Sequence, residues 1–159
     1  MLKWTWLAVV VVILDQLSKY IASTSLVLYK PVAVMPMFNW TLMHNTGAAF
    51  SFLHDAGGWQ RWFFAVLAIV VSIVIVLWIK RLQQHEKLQA IALALILGGA
   101  IGNVIDRVWL GYVVDFIQVY YQQWYWPAFN IADSAISIGV AMIIIESVRE
   151  YFSERKKKI

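Results

Sequence analysis

Trp62-Phe-Phe-Ala-Val-Leu-Ala-Ile-Val-Val-Ser-Ile-Val-Ile-Val-Leu-Trp-Ile79 is an apolar run of 18 residues in which Ser72 is the one polar side chain. A helix needs roughly 17–25 such residues to cross a bilayer. The run therefore predicts a transmembrane helix, and it sets the terms for the rest of the chain. Three further stretches are long enough to follow it across: 4–21, 88–105 and 133–148. With 62% hydrophobic and 14% charged residues in 159, the composition excludes an ordinary soluble domain. The expectation is an all-α membrane protein, a single integral membrane domain over 1–159. Four transmembrane helices would join through extracytoplasmic segments 22–61 and 106–132.

The basic residues orient this arrangement. Lys3, Lys80, Arg81, Lys87, Arg149, Arg155, Lys156, Lys157 and Lys158 fall on one side of a four-span chain; Lys30, Arg61, Arg107 and the intramembrane Lys19 fall toward the other. Nine against four predicts both termini in the cytoplasm. The net charge of +4 thus reads as an orientation signal and not as a nucleic-acid surface. The first run is expected to be retained as a helix, because Asp15 and Lys19 interrupt its tail and no convincing small-residue cleavage site follows. Nine tryptophans and seven tyrosines, many near the ends of the runs, fit interfacial aromatic belts.

The first outer segment carries β-formers over 32–43, with Pro31 and Pro36 breaking any helix. Asn45-Thr-Gly47 reads as a turn, 48–53 is apolar again, and Asp55-Ala-Gly-Gly58 loosens the chain before the second span. The expectation is a small extracytoplasmic β-rich platform on the membrane surface. The second outer segment, 108–125, is rich in Trp, Tyr, Val and Ile and is expected at the interface.

Ionisable residues beside spanning segments are costly and default to a functional reading. Asp15 and Lys19 are four apart on one helix face. They either pair structurally or brace a loop over a site. Gly98 and Gly102 form a small-residue face that admits a close helix. Asn103, Asp106 and Arg107 follow; Asp106 opposes the helix dipole and Arg107 suits it, which suggests a hydrogen-bonded cluster. Asp133, just before the last apolar run, is either an N-cap or a catalytic group, and Ser134 could cap equally well. Asp115 lies among Val113, Val114, Phe116 and Ile117 with no helix start in view. A lone carboxylate there is expensive. Two carboxylates brought together would share a proton, one staying acid and the other base near neutral pH. Such a pair can hydrolyse an amide without a covalent intermediate. With no cysteine and with His44, His54 and His85 scattered, neither a thiolate nucleophile, a shared metal site nor a Ser-His triad is indicated. No cofactor is implied.

Five motifs in order, Asp15-Gln-Leu-Ser-Lys19, Asn45-Thr-Gly-Ala-Ala-Phe-Ser51, Gly98-Gly-Ala-Ile-Gly-Asn-Val-Ile-Asp-Arg107, Val113-Val-Asp-Phe116 and Phe129-Asn-Ile-Ala-Asp-Ser134, resemble the bacterial lipoprotein signal peptidases (signal peptidase II). The resemblance spans nearly the whole chain. It implies an aspartyl endopeptidase of the cytoplasmic membrane that cuts signal peptides from diacylglyceryl-modified prolipoproteins, just before the lipidated cysteine. By position it makes Asp115 and Asp133 the catalytic pair. Asn45, Asn103, Arg107 and Asn130 would line and support the site, and Asp15 and Asp106 would serve the fold. It also implies membrane lipid as a partner and inhibition by globomycin. Two readings of other classes compete: a small proton-relay or transporter subunit, and a non-catalytic assembly factor using the glycine face.

Overall fold

The structure, a computed structural model, describes residues 1–47 and 58–157. The apolar stretch 48–53 and Asp55, Ala56 and Gly57 lie outside them. After a 3-10 turn at Leu2–Thr5 come α1 (Trp6–Ser25), β1 (Val32–Met35), β2 (Phe38–Asn45), α2 (Trp59–Arg81), α3 (Lys87–Trp109), β3 (Val113–Tyr121), β4 (Trp124–Tyr125) and α4 (Ile131–Lys157). Four helical stretches, Leu2–Ser25, Trp59–Arg81, Lys87–Trp109 and Ile131–Ser153, are long and apolar enough to cross a membrane. Each runs one to five residues beyond its sequence-based limits at each end, and some of the polar residues there find partners. Gln60 Oε1 accepts the Gly58 N–H at 2.7 Å, for example, and lets α2 begin before the apolar run.

α3 is the central strut. It packs against α1, α2 and α4, and more than half of its spanning stretch is buried. Its glycines let two of these, α1 and α4, come close. A Cβ on Gly98 would stand 2.7 Å from Val11 Cβ and 2.8 Å from the Ala8 carbonyl oxygen of α1. A Cβ on Gly99 would run into the Ala132 carbonyl of α4. The small-residue face thus has two sides, one per neighbour. Away from the sheet, the bundle core is apolar, built on Ala8, Ile75, Ile79, Leu93 and Leu97.

The strands form one antiparallel sheet in the order β1-β2-β3-β4. The expected β-formers over 32–43 become β1 and most of β2. Part of the 108–125 segment, expected only to lie at the interface, becomes β3 and β4. The turn into β3 is made by Gly111 at φ +92, after the Asp106 carbonyl has accepted the Leu110 and Gly111 N–H groups. Left-handed backbone of this kind favours glycine. Leu42, Val114 and Phe116 bury their side chains with Ala22 of α1, so the sheet sits on the end of that helix.

Candidate active site

Three connections bring the polar motifs together. β2 and β3 pair with Met43 opposite Asp115 and Asn45 opposite Val113, so Asn45 and Asp115 share a face on neighbouring strands. The chain then returns beside β3: Phe129 N–H donates to the Ile117 carbonyl, and the Phe129 carbonyl accepts from Phe116 and Ile117. That return delivers Asn130 next to Asp115. α3 passes underneath and ends with Asn103, Asp106 and Arg107.

Asn130 is the junction. It immediately precedes α4, and its Oδ1 accepts the Asp133 N–H at 2.9 Å while the Asp133 carboxylate accepts the Asn130 N–H at 3.3 Å. This is a reciprocal N-terminal box of the Ser/Thr-x-x-Glu type, built here from Asn and Asp. Asn130 therefore occupies the capping position, and Asp133, three residues on, is not the N-cap. The same Asn130 side chain turns its Nδ2 to Asp115 Oδ1 at 2.7 Å and to the Val114 carbonyl at 3.2 Å. One buried amide thus touches both aspartates.

Each carboxylate has a second amide. Asn45 Nδ2 donates to Asp115 Oδ2 at 3.0 Å, and Asn103 Nδ2 donates to Asp133 Oδ1 at 2.8 Å. Asp115 is only 2% exposed, whereas Asp133 is half-buried and lines an open cleft of about 610 Å³ with Asn45, Asn103, Arg107, Trp126 and Phe129. Burial, and then the neighbouring charge of Asp133, push the Asp115 carboxyl up to about 7, against the opposing hydrogen bonds from Asn45 and Asn130. Arg107 donates to the Gly47 carbonyl at 3.0 Å and to the Asn103 carbonyl at 3.3 Å; its Nε has no partner among the described residues.

Beneath this layer lies the second cluster. Lys19 Nζ stands 2.8 Å from Asp15 Oδ2 and 2.9 Å from Asp106 Oδ2, all three residues being buried. The ion pair that the Asp15–Lys19 spacing allows is formed, and it abuts the site. Gln16, which sequence reasoning passed over, joins Asp106 Oδ1 at 2.9 Å and the Gly102 carbonyl at 3.2 Å. Its signal was a polar residue inside an apolar helix, next to a residue already singled out. Arg61 was also missed as a contributor. Its Nε and Nη2 donate to the Arg107 and Val108 carbonyls at 2.6 and 2.7 Å, closing the end of α3. His44 stacks on Tyr112, ring centroids 3.9 Å apart.

The family model described as Signal peptidase (SPase) II matches residues 7–149. The chain belongs to the signal peptidase II family. Members of that family named lipoprotein signal peptidase include one from Teredinibacter turnerae, 56% identical over 147 residues, covering 92% of this chain and 88% of that one. A lipoprotein signal peptidase of Pseudomonas aeruginosa is 56% identical over 150 residues, covering 93% and 89%. A solved bacterial membrane enzyme, determined by the in meso method at 2.3 Å, superposes with a TM-score of 0.84 at 36% identity, covering 95% of this chain and 90% of that one. A second, at 1.9 Å, gives 0.78 at 37% identity, covering 92% of each. The chain is accordingly a peptidase, a multi-pass membrane protein that processes lipoproteins.

Proposed function

We propose that the peptidase hydrolyses its substrate at the Asp115–Asp133 pair, removing the signal peptide of a diacylglyceryl-modified prolipoprotein just before the lipidated cysteine. The observation that carries this is Asn130, whose one side chain holds Asp115 Oδ1 at 2.7 Å and the Asp133 N–H at 2.9 Å beside the cleft. Asp115, raised to about 7, lets the pair keep one proton near neutral pH. One carboxylate takes a proton from water as its oxygen attacks the scissile carbonyl carbon. The other gives its proton to the carbonyl oxygen. When the C–N bond breaks, the proton taken from water passes to the leaving nitrogen, which becomes the new amino terminus, and the re-forming carbonyl returns its proton to the second carboxylate. Asn45, Asn103, Arg107 and Asn130 support and line the site.

The distribution of basic residues supports a cytoplasmic-membrane protein with both termini cytoplasmic and the sheet end outside. A signal helix leaving the bilayer would present its cleavage bond there, its acyl chains staying in lipid and each buried CH₂ contributing about 0.8 kcal/mol. Globomycin is expected to inhibit. The transporter reading is disfavoured because, among the described residues, the buried ionisable groups gather at one end while the other core cluster is apolar. The test is cleavage of a lipidated precursor by purified protein. Asp115→Asn and Asp133→Asn are each expected to lose about 10²–10⁴-fold in rate while inserting normally; retained processing in both variants refutes the pair. Equal cleavage of precursors with and without the diacylglyceryl group refutes lipid recognition.

A further inference from the structure

Lys19 has three ammonium protons and three acceptors: Asp15 Oδ2 at 2.8 Å, Asp106 Oδ2 at 2.9 Å and Asn103 Oδ1 at 3.0 Å. What those acceptors hold in turn is specific. Asp15 Oδ1 accepts the backbone N–H of Ala132 at 2.9 Å, and Asp106 Oδ2 accepts that of Val114 at 3.0 Å. Ala132 immediately precedes Asp133, and Val114 immediately precedes Asp115. The third acceptor, Asn103 Oδ1, is engaged by Lys19, so its amide NH₂ faces Asp133 Oδ1 at 2.8 Å. One ammonium on α1 thereby reaches β3 and the start of α4 through one intermediate each. Stability alone does not account for such a cluster, because buried ion pairs are often no more stable than an apolar core of the same shape.

We propose that Lys19 is a positioning residue: it sets the spacing of the Asp115–Asp133 pair by clamping the two carboxylates that hold the backbone just before each of them. The inference rests on the aspartate-pair reading above. The charged groups around the clamp are Asp15 on α1, Asp106 and Arg107 on α3, Asp115 on β3 and Asp133 on α4.

Two variants separate geometry from charge and from folding. Lys19→Arg keeps the charge, but a planar guanidinium cannot reproduce three donors diverging from one nitrogen. It is expected to lower kcat about 10-fold or more, with KM within about twofold and the acid limb of the kcat/KM profile in place. Lys19→Met combined with Asp15→Asn and Asp106→Asn leaves no unpaired buried charge while keeping acceptors for Ala132 and Val114. It is expected to lower kcat likewise, with KM again within about twofold. Full kcat in either folded variant overturns the proposal. If the triple variant does not fold, Lys19→Arg decides. In the wild-type chain, hydrogen exchange at the Val114 and Ala132 amides is expected to be as slow as in the helix interiors, and exchange at the rate of exposed amides also overturns it. Failure of the underlying reading looks different: Asp115→Asn and Asp133→Asn would then still cleave.

Discussion

Asp115 carries an ordinary carboxyl group in an unusual place, and its proton affinity has consequences for stability. Its folded value of about 7 lies above the model-peptide value of 3.8. Between those pH values the folded chain keeps a proton that the unfolded chain has lost. Stability therefore falls as pH rises from about 4 to about 7 and is level above that, the reverse of a salt-bridged aspartate. At ~1.4 kcal/mol per decade of affinity the effect is at most about 4 kcal/mol. Thermal unfolding in detergent across this range is expected to show a declining midpoint for wild type and a shallower decline for Asp115→Asn. Equal slopes would contradict the account. The sequence made Asp115 conspicuous because nothing local explained a carboxylate among valines. It could not disclose Asn130 as the shared partner, since that contact depends on Phe129 pairing back onto β3.

At the scale of elements, α3 and the sheet place the site, and each has a weak point. Gly99 has no room for a methyl group beneath the Ala132 carbonyl, so Gly99→Ala must push α4 away from α3 just where Asp133 starts. A cost of about 1–3 kcal/mol is expected, along with a loss of cleavage larger than the loss of folded protein. Comparing thermal midpoint with kcat checks both. In the sheet, Thr41 Oγ1 donates to Gln118 Oε1 at 2.8 Å between two buried residues on β2 and β3. Thr41→Val strands that acceptor and is expected to cost about 1–3 kcal/mol, visible as a lower unfolding midpoint. The glycine face was legible in the sequence as a close-approach surface. Its two-sidedness was not, because spacing shows which residues share a face but not how many neighbours press on it. The strand character of 113–121 was masked by aromatic residues that suit a membrane interface equally well.

For the molecule as a whole, the four apolar runs were sufficient to read the architecture, since lipid leaves a backbone so few alternatives. The registration of the two aspartates was not legible, because Lys19 and Asp106 lie 87 residues apart and meet only once α1 is laid along α3. Orientation remains readable from charge alone, and reporters can check it. A fusion in the α2–α3 turn near Gln83 is expected to report a cytoplasmic location and one near Gln122, between β3 and β4, an external one. The opposite pattern would invert the assignment.

Arg61 links two levels of the molecule. It grips the Arg107 and Val108 carbonyls from the first turn of α2, whose Trp59 and Trp62 rings are more than half exposed where that helix begins. Indole rings favour the headgroup boundary, so the depth at which these two settle is expected to set the height of the cleft. Such a molecule would act as a gauge. In membranes of different thickness the same precursor would be offered at a different height, and turnover in short-, medium- and long-chain phosphatidylcholine is expected to peak where the two heights coincide.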